Sequence, residues 1–391
     1  MRDVVVAGVG QTEFGADERG IRHIGAEAAH AAVVDAGVDV DDIEAAFVGN
    51  VGGPADPQRG LVGQVCLREM GVTGVSVTNM ENACSSSSCA FRQGYRAVAS
   101  GLEDVVLVLG VEKMTGVSTE EATESLGSSA DAVREGQRGM AFTGAYAMSA
   151  NAYREKYGVE NLRAALTQVS IKNHRNALAN PYAHFHREIT AEDVEESAMI
   201  AHPLRLYDMS PISDGAAAAV IAAEDALAEP PETRVTVEAS VHRTGNYDDP
   251  AADSADASGV ERTAATAYEA AGIGPDDVDL FEVHDGATFG ELNHMEALGI
   301  CEPGTAPDVV LSGETEVDGA HPVNPSGGLK GRGHPIGATG VAQLNEIVWQ
   351  LRGEAGDRQV EGATVGLADN GGGSLNGVGA NYTVHVLQAD R

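Results

Sequence analysis

An internal repeat constrains the fold of this chain more than any other feature. Residues 24–50 contain an alanine-rich helical stretch, a glycine turn, an acidic cap and a strand, and residues 263–286 repeat that succession. A second pair of helices, each followed by glycine, lies in residues 89–110 and 340–356. Duplicated segments of this kind build two similar halves, so the sequence predicts an α/β protein with two mixed sheets covered by helices.

A stretch of different character separates the two copies. It combines polar helical patterns with loops such as ANPYAHFHREIT, and we predict that residues 114–207 form an inserted loop domain over one face. The apolar stretch SDGAAAAVIAAE then returns the chain to the first half. On this prediction residues 1–113 and 208–230 form the N-terminal half, and residues 231–391 form the C-terminal half.

The charge balance excludes several classes of partner. Asp and Glu number 59 against 25 Lys and Arg, which gives a formal net charge of -34. Such a surface repels nucleic acid and anionic membranes. Lysine is rare and the acidity is spread along the chain, which indicates adaptation to a saline cytoplasm, with an acidic face for a basic partner as the alternative. Apolar runs such as VVLVLGV are too short to span a bilayer, and four cysteines with no leader sequence favour a soluble cytoplasmic protein.

Cys84 is the first candidate for chemistry. It lies in NMENACSSSSC, directly before a stretch that can form a helix, and the start of a helix lowers the pKa of a thiol. On a helix, Cys84 and Cys89 would be too far apart for a disulfide and would point in different directions. Cys84 is therefore either a nucleophile or, like Cys89, a small buried residue.

Three further segments could complete a site with Cys84. The glycine-rich segment NPSGGLKGRGHPIGATG holds His334 before a helix expected to begin around Ile336, where it is either a base for a thiol or a loop histidine. His284 and Asp285 follow a strand in FEVHDGATFGEL, and Asp285 either orients the imidazole or caps the next helix. The segment GLADNGGG can offer backbone N–H groups to an oxyanion. The histidines of the inserted region are expected at the surface: His174, His184, His186 and His202.

Taken together, four segments resemble the thiolase superfamily over nearly the whole chain. They are NACSSSS, VSIKNHRNALANPYAHFHREIT, PISDGAAAAVI and VNPSGGLKGRGHPIGATGVAQ. The HDGAT segment is similar to the branch that includes sterol-carrier-protein thiolases and archaeal acetoacetyl-CoA thiolases. This resemblance implies the thiolase fold, with two duplicated βαβαβαββ halves in a five-layer α-β-α-β-α arrangement and a homodimer or tetramer. It also implies CoA contacts and oligomer contacts for the inserted domain.

The resemblance also implies roles for individual residues. Cys84 would accept the acyl group, His334 would activate it, and His284 would lie near the first oxyanion hole. The N–H groups of Cys84 and Gly372 would form the second hole, and Asn324 would belong to the substrate-binding residues. The substrates would be CoA thioesters, with no cofactor and no metal.

The sequence departs from the family in one respect. The second cysteine that many relatives use to move the α-proton is absent, because Gly286 and the pair Asp369–Asn370 stand in its known places. A base is still required for that step, and His284 is the best candidate, ahead of Asp285 and Asp369.

The resulting functional hypothesis is an acyl-CoA C-acyltransferase. Specifically, it would be an acetyl-CoA C-acetyltransferase that joins two acetyl-CoA through acetyl-Cys84, feeding mevalonate or polyhydroxyalkanoate synthesis. A small partner with a zinc ribbon and an OB domain is expected from relatives. The alternatives are a non-catalytic acyl-CoA-binding or channelling subunit and, less favoured, a thioesterase.

Overall fold

A computed structural model describes residues 2–135, 142–228, 231–247, 255 and 257–390. The first half of the chain builds a five-stranded layer in the order β3-β2-β4-β7-β1, with β7 antiparallel to its neighbours β4 and β1. The elements of this half are β1 (Val4–Gln11), α1 (Ile21–Ala36), β2 (Ala45–Gly49), α2 (Val62–Glu69), β3 (Ser76–Met80), α3 (Ser86–Ala99), β4 (Val105–Glu112) and β7 (Gly215–Ala223).

The second half repeats this order with one difference. Its strands follow the order β8-β11-β10-β9, and a single parallel bridge between Phe281 and Val323 stands where the first half has its third strand. The second copy is therefore shorter than the βαβαβαββ prediction in the described residues. Its elements are β8 (Val235–Thr244), α8 (Ser258–Ala271), β9 (Leu280–Glu282), α9 (Thr288–Ala297), α10 (Ala306–Ser312), α11 (Gly328–Arg332), α12 (Thr339–Arg352), β10 (Val365–Leu375) and β11 (Val378–Ala389).

The repeat predicted from the sequence is confirmed at the level of the backbone. Helices α1 and α8 both end at a glycine in the left-handed region, Gly37 with φ 64° and Gly272 with φ 72°. A short 3₁₀ turn follows in both copies, at Val40–Asp42 and Pro275–Asp277. Since a left-handed residue after a helix is most often glycine, the matched glycines mark the same turn twice.

The two halves join into five layers. Strands β1 and β8 meet at one antiparallel pair, Val5 with Thr236, which makes a nine-stranded sheet. Helices α3 and α12 lie together in the central apolar layer between the halves, α1 packs on the outer face of the first half, and α8 and α9 pack on that of the second.

The central helices approach closely because small residues face each other. Ser86, Ser87 and Ser88 are buried, and a Cβ placed on Gly340 of α12 would lie 2.5 Å from the Cβ of Ser88. A Cβ placed on Gly110 of β4 would likewise lie 2.6 Å from the Cβ of Ser87. The serine run is therefore a packing surface at the centre of the molecule.

The region between the halves carries helices that pack on the second half. They share an apolar cluster with α8 and α9 through residues such as Ala150, Leu166 and Val169. The domain boundaries remain a prediction, and residue 230, where one of them was drawn, lies outside the described residues. The elements of this region are α4 (Thr119–Leu126), α5 (Phe142–Tyr157), α6 (Leu162–Leu178), α7 (Ala191–Glu196), β5 (Met199–Ala201) and β6 (Leu204–Arg205). Among the residues described, no helix combines the length and apolarity needed to cross a bilayer.

Candidate active site

Cys84 lies in a tight turn between β3 and α3, two residues before the helix begins. The residue before it, Ala83, has φ 49°, an uncommon conformation for a residue with a side chain. Hydrogen bonds hold this turn: Ser86 Oγ donates to the carbonyl of Ala83 at 2.6 Å and accepts the N–H of Asn82 at 2.9 Å, and Glu81 accepts the N–H of Ala83 at 2.7 Å. Strain that neighbouring groups fix in this way is common at functional sites.

Strand β10 reaches this turn at glycines. A Cβ on Gly372 would lie 2.3 Å from the carbonyl oxygen of Asn82 and 2.4 Å from Ser85 Oγ, so only glycine fits. The N–H groups that hydrogen-bond to the sulfur of Cys84 are those of Cys84 itself and of Gly373. These contacts concern the sulfur and not the carbonyl oxygen of an acyl group, so the role of Gly372 in the second oxyanion hole stays a prediction.

Burial controls the ionisation of Cys84. It raises the pKa of the thiol to about 12, because it outweighs the two N–H hydrogen bonds, and the nearby carboxylates of Glu112 and Glu81 raise it further. The expectation that the helix start would lower this pKa is therefore wrong. The sequence located the helix but carried no information about how deeply its first turn is buried.

His334 is held in a fixed orientation. Its N–H donates to Ser213 Oγ at 3.2 Å, and its Nδ1 lies 2.7 Å from Thr339 Oγ1. The Thr339 hydroxyl donates to the carbonyl of Pro335 at 3.0 Å, so it accepts from His334. This assigns the proton of the neutral imidazole to Nδ1 and leaves Nε2 as a proton acceptor.

The burial of His334 keeps it neutral. Burial, assisted by the charge of Arg332, lowers its pKa to about 3. A neutral imidazole with a free Nε2 can take a proton from a thiol at physiological pH. The helix after this loop begins at Thr339, three residues later than the sequence predicted.

His284 follows β9 and faces His334. The two ring centroids are 5.4 Å apart, and one ligand atom each of Cys84, His284 and His334 lie within 4.8 Å of one another. Burial, and then the charges of His334 and His294, lowers the pKa of His284 well below its ordinary value. The structure therefore brings together the three residues that the sequence singled out for catalysis.

Asp285 anchors the backbone rather than the imidazole. Its carboxylate accepts the N–H of Leu329 at 2.6 Å, the N–H of Lys330 at 3.3 Å and the amide of Asn173 at 2.8 Å. Burial, then the neighbouring Glu291, raises its pKa to about 8. Neither sequence alternative holds as it was made: Asp285 caps a helix, but that helix is α11 and not α9, the next one along the chain.

Asn324 lies behind the site. Its Oδ1 accepts the N–H of Val283 at 2.9 Å, its Nδ2 donates to Glu291 at 2.8 Å, and the residue is fully buried. Both side-chain groups thus fix the loop that carries His284. The substrate-binding role expected for Asn324 stays a prediction beside these positioning contacts.

The loop at the missing cysteine has other partners. The carboxylate of Asp369 forms a short hydrogen bond with Nδ1 of His294, whose ring lies 6.3 Å from that of His284. Asn370 donates to Gln343 in the central layer at 2.7 Å. Each side chain keeps one buried oxygen, Asp369 Oδ1 and Asn370 Oδ1, without a hydrogen-bond partner among the described residues.

The inserted region corrects one further expectation. His174 is buried against Phe185, with ring centroids 5.1 Å apart, and burial lowers its pKa to about 3. His184 bonds to Ser213 at 2.8 Å and so supports the loop of His334. These histidines were expected at the surface, because a polar helical pattern does not show which face a larger domain covers.

Two family models match almost the entire chain. The model for the thiolase N-terminal domain matches residues 4–225, and the model described as thiolase C-terminal domain-like matches residues 241–388. The duplicated five-layer α/β fold and the site with a thiol and two imidazoles at its centre define the same class of enzyme. The chain belongs to the thiolase family.

Individual relatives agree with this assignment. Acetyl-CoA acetyltransferase of Methanothermobacter thermautotrophicus is 42% identical over 391 residues, which cover 99% of this chain and 100% of the relative. Sterol carrier protein 2 of Oryctolagus cuniculus is 33% identical, over 94% of this chain and 69% of its own length. A chain of the Ltp2-ChsH2(DUF35) aldolase structure has the same fold, with a TM-score of 0.84 at 24% identity, over 100% of this chain and 98% of that one.

Proposed function

We propose that the protein is an acetyl-CoA C-acetyltransferase, a thiolase that condenses two acetyl-CoA into acetoacetyl-CoA and CoA and also catalyses the reverse thiolysis. The observation that carries the proposal is the cluster of Cys84, His284 and His334 within 4.8 Å. The 42% identity to an archaeal acetyl-CoA acetyltransferase over the full length supports the acetyl group as substrate. We infer no cofactor beyond the CoA thioesters themselves.

The first half-reaction is acyl transfer to Cys84. His334 Nε2 takes the thiol proton as the sulfur attacks the thioester carbonyl, and the proton then leaves with the CoA sulfur. The N–H groups of Cys84 and Gly372 would stabilise the negative oxygen that forms on the acyl carbon, while the N–H of Gly373 contacts the sulfur. The product is an acetyl-Cys84 enzyme.

The second half-reaction forms the carbon–carbon bond. A base removes a proton from the methyl group of the second acetyl-CoA, and the enolate attacks the acetyl carbonyl on Cys84. His284 is neutral at physiological pH because burial lowers its pKa, so it can accept that proton. When Cys84 leaves the tetrahedral intermediate, the proton returns to its sulfur and the enzyme is regenerated.

Thiolysis of acetoacetyl-CoA tests the proposal. We expect loss of activity in Cys84→Ala, His334→Ala and His284→Ala, while Cys89→Ala, a matched change five residues along, retains it because Cys89 is only a buried packing residue. An inactive wild type in low and molar salt would contradict the enzyme and favour a channelling subunit. CoA release from acetyl-CoA without carbon–carbon chemistry would instead indicate a thioesterase.

The same three residues could instead bind a metal ion. Cysteine and histidine are ligands that zinc prefers, and their atoms are close enough to share one ion. We propose a metal-free reaction, which predicts full activity after dialysis against a chelator. Loss of activity that zinc restores would favour the metal site.

The finer properties also remain proposals. We propose a cytoplasmic homodimer or tetramer, with the region around residues 114–207 on the CoA-binding face. We also propose a small partner with a zinc ribbon and an OB domain; the name of the fold neighbour, which joins Ltp2 to ChsH2(DUF35), supports a second component but not its domains. Size-exclusion chromatography with light scattering, alone and with a candidate partner, measures both properties.

A further inference from the structure

The carbon–carbon step leaves one chemical requirement without a residue. Removal of the methyl proton places negative charge on the thioester oxygen of the enolate, and an enzyme needs preorganised hydrogen-bond donors to stabilise that charge in a buried site. Nδ2 of Asn370 donates to Gln343, its Oδ1 can only accept, and Gly286 has no side chain. A side chain from another element that reaches the chamber can supply the donor.

Tyr146 of α5 reaches the chamber from the inserted region. A Cβ placed on Gly286 would lie 2.7 Å from the hydroxyl oxygen of Tyr146 and 3.4 Å from His284 Nε2. The phenol therefore fills the space that a side chain at position 286 would occupy. The ring also covers Gly290, where an added Cβ would lie 3.5 Å from Tyr146 Cε1.

The helix that carries Tyr146 is fixed from its other end. Tyr153 lies two turns later on the same face of α5, is buried, and donates to Glu296 of α9 at 2.5 Å. Tyr146 differs from Tyr153 in that its hydroxyl has no hydrogen-bond partner among the described residues. A phenol hydroxyl that lacks a partner in the described part of the chain, beside two reactive side chains, can bind a ligand.

The surroundings keep this phenol protonated. Burial raises the pKa of Tyr146, and the charges of Cys84 and Asp285 add to that increase. A neutral phenol is a hydrogen-bond donor at every pH at which the protein is expected to work. It is suited to hold an oxyanion and unsuited to act as the base.

We propose that Tyr146 is a catalytic residue whose O–H donates a hydrogen bond to the enolate oxygen of the acetyl unit that attacks acetyl-Cys84. The inference rests on the proposed thiolase function. In this step the methyl proton passes to His284 Nε2 and the C–H electron pair becomes the enolate, whose negative oxygen accepts the Tyr146 hydrogen bond. The enolate carbon then bonds to the acetyl carbon, the carbon–sulfur bond to Cys84 breaks, and the proton moves from His284 to that sulfur.

Two half-reactions of Tyr146→Phe test the proposal. Loss of one oxyanion donor lowers the rate by about 10²- to 10³-fold, so we expect that decrease in thiolysis and in exchange of the acetyl-CoA methyl protons with D₂O. Acetylation of Cys84 by acetyl-CoA, followed by intact-protein mass spectrometry, should stay within a few-fold of wild type. Tyr153→Phe is the matched control, since it removes a hydroxyl from the same helix and should affect both half-reactions alike.

The result at Tyr146→Phe that overturns the proposal is unchanged methyl exchange, or an equal decrease in both half-reactions. A wild type that neither acetylates Cys84 nor cleaves acetoacetyl-CoA would overturn the proposed function instead.

Gly286→Ala gives an independent test that needs no change of the tyrosine. Its Cβ would push the Tyr146 hydroxyl out of place, so we expect the same selective loss of methyl exchange. When Gly286→Ala is combined with Tyr146→Phe, the hydroxyl is absent and the atoms nearest to the new Cβ at position 286 would be about 3.4 Å away. The site tolerates such a contact with a small shift. The double variant should therefore lose no more than either single variant, and additive losses would contradict the contact.

Discussion

The contact between β10 and the Cys84 turn makes a quantitative prediction for Gly372→Ala. The new Cβ would lie 2.3 Å from the carbonyl oxygen of Asn82 and 2.8 Å from the backbone nitrogen of Ser85. An ordinary contact needs about 1 Å more, and β10 cannot retreat because Gly372 pairs with Asn381 on its other side. The turn that carries Cys84 must therefore move by about that distance.

Both consequences of this movement can be measured. Overpacking of this kind costs about 1–3 kcal/mol in the free energy of unfolding. A displacement of about 1 Å at a reacting group lowers kcat about 100-fold. Urea unfolding followed by fluorescence gives the first quantity, and thiolysis of acetoacetyl-CoA gives the second.

The neighbouring glycine supplies the control. A Cβ on Gly371 would lie 3.8 Å from His294 and 3.9 Å from His284, which are ordinary contacts, so Gly371→Ala should unfold like wild type. Native stability together with native kcat in Gly372→Ala would refute the reasoning, because the turn could not then be as tightly held as the distances require.

Three further predictions concern the tautomer, the pH and the salt. Thr339→Val removes the acceptor for the buried His334 Nδ1–H and should lower kcat about 10- to 100-fold, with a loss of about 1–3 kcal/mol in the free energy of unfolding, whereas Thr339→Ser should keep kcat near that of the wild type. Burial lowers the pKa of His385 to about 3, so at a pH below 6.5 this side chain gains a proton when the protein unfolds. It therefore adds stability above pH 6.5 that is lost toward pH 3, so relative to His385→Asn the wild type should lose about 1.4 kcal/mol per pH unit between pH 6 and 4 in denaturant titrations. Because of the net charge of -34, the melting temperature should rise with KCl from millimolar to molar concentration, and a salt-independent value would contradict adaptation to salt.

Most of the fold was predictable from the sequence because the chain contains two copies of the same succession of helices and strands. In each copy the turn that requires a left-handed residue carries a glycine, Gly37 or Gly272. The matching residues of the two copies are separated by one constant offset, which can be recognised without a structure. The third strand of the second half could not be predicted, since one residue of pairing at Val323 leaves no alternating pattern. The single pair that joins the two sheets, Val5 with Thr236, is equally invisible in a sequence.

The sequence predicted those site residues that can be recognised from their residue type and from their position in a local motif. Cys84 before a helix, and His284 and His334 in glycine-bounded loops, have signals in the chain itself. Tyr146 has none, because only the packing of the inserted region on the second half brings it to Gly286. The contacts of Asn324 were not predictable for a related reason: an amide in a glycine-rich loop can bind a ligand or a neighbouring side chain, and only the structure shows that it donates to Glu291.

The ionisation of the free site decides how Cys84 becomes a nucleophile. Its pKa is raised to about 12 while that of His334 is lowered to about 3, so thiol and imidazole are both neutral at pH 7 rather than a resting ion pair. Proton transfer must then accompany attack on the thioester, when the forming oxyanion supplies the compensating charge. Alkylation of Cys84 by iodoacetamide in the absence of substrate should therefore rise about tenfold per pH unit from pH 7 to 10, after the background of Cys84→Ala is subtracted. A rate that levels off near neutral pH would show a preformed thiolate and contradict this order of events.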